Sequence, residues 1–236
     1  MKYIINGALG RMGKEIVSFI GENACVKVDK YASSPDYFAK ISDYTGSADI
    51  IIDFSHHSAI WELCDYAVLN KIPLLIATTG HTEEEIEKIR LSSKFVPIFM
   101  SSNLSLGIFA VNECIKVLSQ FLKSASVSVF ERHHKNKKDA PGGTALMFAQ
   151  TLSKFGFEDV AVEYERKGDG YGEHKITFES ECERITVYHE AKSKTAFVLG
   201  ALDASQFTVN QKAGLYNMKD LTDYRREKAH ECKKTL

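Results

Sequence analysis

"KYIINGALGRMGKEIV" (residues 2–17) decides the fold. A run with two adjacent isoleucines, Lys2 to Asn6, reads as a strand, and Gly10 to Glu22 carries apolar residues at helical spacing. Between them Gly7, Gly10 and Gly13 stand at G-x-x-G-x-x-G spacing, a variant of the commoner G-x-G-x-x-G. A glycine turn joining a strand to a helix is the context in which backbone N–H groups meet a pyrophosphate at the positive end of the helix. Gly7 allows the tight turn, Gly10 the close approach of a ligand, and Gly13 the packing of helix on sheet. Arg11 reaches a phosphate on one reading and is a solvated first-turn residue on the other.

Outward from this turn, the first hundred residues repeat one theme, a short β-branched run followed by an amphipathic helix. "CVKVDKYA", "ADIIIDFS", "IPLLIATT" and "VPIFMSS" read as strands, with "HSAIWELCDYAVLNK" and "TEEEIEKIRLSS" as helices; in the latter, Thr82 and Glu85 have capping-box spacing. This is the pattern of a parallel sheet with crossover helices. After Asn103 the texture changes. "LGIFAVNECIKVLSQFL" is a helix, "ASVSVFERHH" a strand, "TALMFAQTLSKFG" a helix, and both "HKITFESECERITVYHEA" and "TAFVLGALDASQFTV" read as β alternation. The expectation is an α/β protein: a Rossmann-type parallel-sheet dinucleotide domain at 1–104, completed by 210–236, and a second α+β domain at 105–209 on an open mixed sheet. The charged tail "DYRREKAHECKKTL" reads as a solvated or fraying helix.

Where the second strand ends, the group that reads the adenosine ribose is expected. Asp29 comes early, Ser33 and Ser34 lie near the tip, and Lys30 would favour a 2′-phosphate, so NADH and NADPH both remain open. "ATTG" (77–80) and "SSNLS" (101–105) place small hydroxyl residues at further strand ends, where ligands of open α/β sheets lie.

"ERHHKNKKDAPGGTAL" (131–146) holds two adjacent histidines, a group of lysines and a Pro-Gly-Gly-Thr turn ahead of a helix. The helix N-terminus offers unpaired N–H groups, Gly142 and Gly143 clear the approach, and Thr144 can donate a hydroxyl, so the loop suits a carboxylate. His133, His134 and Lys137 add positive charge and protons to give. No metal is expected here: adjacent strand histidines project in opposite directions, and the sequence shows no carboxylate or cysteine at ligand spacing.

Composition excludes several classes. Thirty Lys+Arg balance 31 Asp+Glu, which argues against a general nucleic-acid binder. Five scattered cysteines without a C-x-x-C pair suggest neither disulfide framework nor zinc site. No apolar run approaches the roughly 18 residues that span a bilayer, and Met1-Lys2 leads straight into a strand, so neither membrane nor signal peptide is expected and the cytoplasm is the expected location.

These motifs together resemble the dihydrodipicolinate reductase family. "GALGRMG" is similar to its cofactor turn, "IDFSHHSA" to its Asp-Phe-Ser/Thr strand end, and "ATTG" and "SSNLSLG" to its nicotinamide-side loops. The stretch 131–146 resembles E-x-H-H-x-x-K-x-D-A-P-S-G-T-A-L, while "RKGDGYGEH" and "GLYNMKDL" match later segments of the family. The resemblance implies NADH- or NADPH-dependent reduction of a cyclic dicarboxylate, 4-hydroxy-tetrahydrodipicolinate, in diaminopimelate and lysine biosynthesis, by a homotetramer. It implies that His133 gives or accepts a proton, that Lys137 donates one, and that His134, Gly143 and Thr144 hold substrate. It also implies cofactor contacts from Gly7, Ala8, Leu9, Gly10, Arg11, Met12, Ser33, Ala77, Thr78, Thr79, Ser101, Ser102, Asn103 and Leu104. Three positions depart from the family: Gly142 replaces a serine, Ala77 a glycine, and Ser33 stands where many relatives carry an acid. Another two-domain reductase would have no reason for the His-His-Lys-Gly-Gly-Thr loop, and a catalytically silent dinucleotide sensor would not oxidise reduced nicotinamide.

Overall fold

A computed structural model describes residues 1–135 and 137–234, with side chains described through residue 228. Two compact units emerge, one of residues 1–104 with 197–236, the other of residues 105–196.

The first unit is a seven-stranded, all-parallel sheet. Its strands are β1 (Tyr3–Asn6), β2 (Cys25–Val28), β3 (Tyr37–Phe38), β4 (Ile50–Asp53), β5 (Leu74–Ile76), β6 (Pro97–Met100) and β11 (Gly214–Tyr216), in the order β11-β6-β5-β4-β1-β2-β3. Helices α1 (Arg11–Ile20), α2 (Ile60–Asn70) and α3 (Glu83–Ser92) follow β1, β4 and β5. Strands covered on both faces must be apolar throughout, and Ile4, Ile5, Ile50, Ile51, Ile52, Leu74, Leu75 and Ile76 are all fully buried. Helix α3 begins as its sequence predicts: Thr82 Oγ1 accepts the Glu85 N–H, and Glu85 Oε2 accepts the Thr82 N–H at 2.9 Å.

The second unit carries a four-stranded mixed sheet in the order β10-β9-β7-β8, made of β7 (Ser126–His133), β8 (Ala161–Arg166), β9 (Glu173–Glu179) and β10 (Arg184–Glu190). Strand β9 is antiparallel to both neighbours, whereas β7 and β8 run parallel. One face is covered by α4 (Leu106–Phe121) and α5 (Gly143–Lys154), whose Ile108, Ile115, Phe148 and Leu152 pack on Val127, Val129, Ile176 and Phe178.

Residues 195–209 correct the sequence reading twice. They form helix α6 (Thr195–Thr208) instead of a strand, with Val198, Ala201, Ala204, Ser205 and Thr208 buried at helical spacing. Most of this helix, from Phe197, also belongs to the first unit, so the expected boundary at 209 moves back to 196. The cause is close packing. Gly200 lies against the Leu104 carbonyl so tightly that any side chain would collide with it, and the Phe207 ring meets Phe99 edge-on with centroids 6.1 Å apart. The tail is helical as α7 (Met218–Lys234), and its last two residues lie outside the described residues.

Candidate functional site

In the first unit the glycine turn is held by backbone geometry. Gly7 takes φ +82°, and both Gly7 and Ala8 donate their N–H groups to the Val28 carbonyl, at 2.9 and 3.1 Å. A Cβ on Gly7 would come within 2.8 Å of the Phe54 and Ser55 backbone, and one on Gly13 would run into the turn itself. Asp29, which comes early for a group that reads the ribose, braces this turn: its carboxylate accepts the Leu9 N–H at 2.9 Å and the Tyr31 N–H at 3.0 Å. Gly10 caps α1 without a side chain, and the first turn of the helix contains no acid. Those are the conditions under which a helix start receives a phosphate.

Two adjoining clefts open at these strand ends and share Phe54, Ser55 and His56. The larger, about 520 Å³, is lined by Gly7, Leu9, Gly10, Asp29, Lys30 and Lys40, among others. The smaller, about 380 Å³, is lined by Arg11, Met12, His57, Ala77, Thr78 and Thr79. Ala8 is buried behind the turn, and Ser33 is exposed and stands apart from the residues lining either cleft. Ser101 to Leu104 form a local turn after β6, in which the Ser101 hydroxyl donates to the Asn103 carbonyl at 2.7 Å; Ser102 is exposed and Leu104 buried.

Sequence reasoning missed the polar network that joins the ends of β1, β4 and β5. Asp53 is fully buried and accepts hydrogen bonds from Asn6 at 2.9 Å, from the Ser55 hydroxyl at 2.6 Å and from Thr78 at 3.1 Å. Burial raises its carboxyl above the usual range against these hydrogen bonds. The network continues from Thr78 to His81, 3.1 Å away. Glu85 lies 3.6 Å from His81 Nδ1 and 2.9 Å from His57 Nδ1. For Glu85 burial alone would raise the pKa, but His57 and the Thr82 N–H bring it below the ordinary value.

In the second unit the basic loop folds back on the strand that precedes it. His133 ends β7, the Lys137 N–H donates to the His134 carbonyl at 3.1 Å, and the Lys137 ammonium pairs with Asp139 at 2.6 Å. Gly142 precedes α5, whose first residues are Gly143, which is exposed, and Thr144. A Cβ on Gly142 would come to 2.7 Å from Glu131 Oε2 and 3.0 Å from Lys137 Cε, so the family serine is missing where this chain packs a carboxylate and a lysine stem. Glu131 is therefore the correction to the metal argument: a carboxylate does stand beside the histidines. Donor atoms of Glu131, His133 and His174 come within 4.8 Å of one another. Arg166, with Nη2 2.7 Å from Glu131 Oε1, nevertheless sets a fixed cation against this carboxylate, which opposes a divalent ion there.

His174, also missed, is 4% exposed and sits between His133, Phe148 and His189, with ring centroids 5.4 to 5.9 Å away. Burial first, then the charges of His133, His189 and Lys137, push it down to about 3. Its folded pKa lies below the ordinary 6.5, so its contribution to stability is complete above about pH 6.5 and is lost as the pH falls toward 3. Urea unfolding across that window is expected to show a fall in stability that His174→Phe reduces. The "GEH" at 172–174 was the available signal, but one strand histidine among eight in the chain does not announce burial.

A parallel-sheet unit with a glycine turn, joined to a mixed-sheet unit with a basic loop, is the architecture of two-part dehydrogenases and reductases. Among solved structures, the chain matches a dipicolinate-bound dihydrodipicolinate reductase from Paenisporosarcina sp. TG-14 with TM-score 0.75 and 19% identity, covering 92% of this chain and 97% of that one. It also matches a myo-inositol dehydrogenase from Corynebacterium glutamicum with TM-score 0.58 and 15% identity, covering 91% of this chain and 90% of that one. Family models described as dihydrodipicolinate reductase, N-terminus and C-terminus, match residues 1–104 and 107–222. Relatives named 4-hydroxy-tetrahydrodipicolinate reductase are 36% identical in Caldanaerobacter subterraneus subsp. tengcongensis, over 94% of this chain and 98% of the relative. In Clostridium novyi the identity is 32%, over 93% and 97%. The chain belongs to the dihydrodipicolinate reductase family and is an oxidoreductase.

Proposed function

We propose that the protein reduces 4-hydroxy-tetrahydrodipicolinate to tetrahydrodipicolinate in diaminopimelate and lysine biosynthesis, taking up one hydride and one proton and releasing one water. The observation that carries the reading is the convergence of His133 and of Gly142, at the start of α5, on Glu131, with the Lys137 stem beside Gly142. A dianionic ring suits this place. The N–H groups at Gly143 and Thr144 and the helix dipole favour a carboxylate, Lys137 adds positive charge, and His134 adds a further hydrogen-bonding group. His133 and Lys137 carry the proton. The related structure from Paenisporosarcina sp. TG-14 is described as dipicolinate-bound.

A reduced nicotinamide dinucleotide supplies the hydride when bound. The residues of the first unit fit it: Gly7, Leu9 and Gly10 offer a side-chain-free cradle, α1 offers its N-terminus, and Arg11, Met12, Ala77, Thr78 and Thr79 line the adjoining cleft. Ser101, Ser102, Asn103 and Leu104 complete the nicotinamide side in this reading. The finer choice follows from charge. Asp29 spends both carboxylate oxygens on backbone N–H groups, while Lys30 and Lys40 line the larger cleft, so NADPH is accepted and its 2′-phosphate meets the two lysines. Lys40→Ala is expected to weaken NADPH by about tenfold, the scale of one charge-assisted hydrogen bond, and NADH far less. Equal effects on the two cofactors would contradict the assignment.

The same reading places the enzyme in the cytoplasm as a homotetramer that uses the sheet face opposite the helices, where Phe130, Lys175 and Tyr188 are register neighbours. No described helix is long and apolar enough to cross a membrane. The substrate class is tested with pyridine-2,6-dicarboxylate: it should compete with the substrate, and pyridine-2-carboxylate should be much weaker. Equal inhibition by the two would remove the case for a two-carboxylate site.

A further inference from the structure

Glu131 and His174 face each other across β7 and β9, and His133 stands two residues along β7 on the same side of the sheet. Glu131 is fully buried, and its two oxygens do different things. Oε1 accepts the Gly142 N–H at 2.8 Å and Arg166 Nη2 at 2.7 Å. Oε2 faces His133 Nδ1 at 3.4 Å. On the far side of that ring, a Cβ on Gly172 would come to 2.7 Å from Nε2. Gly172 adopts φ +139°, a conformation that favours glycine, so this nitrogen is kept clear of a side chain.

We propose that Glu131 is the positioning residue of the proton-bearing imidazole: Oε2 holds His133 with Nδ1–H toward the carboxylate and turns Nε2 to the substrate, while Oε1 ties that carboxylate to the turn opening α5. The inference rests on the reading of His133 as a proton carrier. A base oriented by a third group is the recurring logic of proton-transfer sites, because the partner of one ring nitrogen sets the protonation of the other. At 3.4 Å the pair is long for a hydrogen bond, and such pairs tighten when substrate is bound.

Charge supports the geometry. The groups facing His133 are Glu131 on its own strand, Lys137 and Asp139 in the loop, Arg166 on β8 and His174 on β9. Burial lowers the imidazole below its ordinary value and Glu131 opposes this, while Lys137 and Arg166 lower it further. Removing the Glu131 charge must therefore move His133 further down. The pH limb that reports it moves toward acid.

Glu131→Gln keeps the volume and an oxygen for Gly142 but presents no charge to Nδ1. Its kcat should fall about 10²- to 10³-fold, within the range of general acid–base catalysis, with a smaller change in KM and the His133-linked limb of the kcat/KM profile displaced toward acid. Glu131→Asp, which restores the charge, should recover part of the rate. Wild-type kcat and an unmoved limb in Glu131→Gln would overturn the inference. Should that variant not fold, nitrogen NMR of the His133 ring in the wild-type protein decides: neutral imidazole protonated on Nδ1 supports it, and protonation on Nε2 overturns it. His133→Gln, assayed alongside, separates the two levels. Full turnover in His133→Gln removes the proton-carrier reading and the inference with it; an inactive His133→Gln beside an unaffected Glu131→Gln removes the inference alone.

Discussion

His133→Gln combined with Lys137→Met is expected to lower turnover by about 10³-fold or more, since each proton-transfer group contributes on the order of 10² to 10⁴. Affinity for the reduced dinucleotide should stay close to that of the wild type, because both residues lie in the second unit and the glycine turn in the first. The two substitutions should not multiply: in the proposed function the groups serve one proton, and residues acting as a unit show strongly non-additive losses. The single variants also part company in substrate binding. Lys137 carries a charge that favours a dianion, so Lys137→Met should raise KM as well, whereas His133→Gln should act mainly on kcat. Undiminished turnover in the double variant would refute the assignment of both residues.

Gly13→Ala should cost both stability and cofactor affinity. Its Cβ would lie 2.7 Å from Ala8 Cα and 2.8 Å from the Gly7 carbonyl carbon, closer still to the Gly7 oxygen, and all of these are backbone atoms that no rotamer change removes. Alanine ordinarily gains about 1 kcal/mol over glycine in a helix interior, but overpacking costs about 1–3 kcal/mol and more when backbone must move. The clash wins. Either α1 lifts from β1 or the turn opens, and the loss of two N–H contacts at about 1–1.5 kcal/mol each weakens the dinucleotide by about 10²-fold. A denaturant midpoint and a cofactor titration measure the two effects. Unchanged values in both would show that the turn is not held as described.

The parallel unit was legible because its strands are short apolar runs separated by helices with clear periodicity, and because the Thr82–Glu85 box marks a helix start unaided. Residues 195–208 were not legible. Their opening apolar run, Ala196 to Leu199, passes for a buried strand, and the spacing 198, 201, 204, 208 emerges only along the whole length of the helix. Strands β3 and β11, two and three residues long, are defined by the neighbours they bond to and carry no pattern of their own. The basic loop stood out in the sequence because its histidines, lysine and glycines are contiguous. Glu131 did not, since its roles depend on Arg166, 35 residues on, and on a backbone N–H that has no letter in the sequence. The bracing role of Asp29 was hidden for the same reason: both of its hydrogen bonds are to main-chain donors.

The enzyme is given freshly generated 4-hydroxy-tetrahydrodipicolinate from a coupled upstream synthase, with NADH and NADPH in separate runs, and oxidation of the nicotinamide is followed by absorbance. Oxidation that depends on the synthase product, and is lost in the His133→Gln, Lys137→Met double variant, is the result expected of the proposed function. Tight cofactor binding with no oxidation of either cofactor would contradict it.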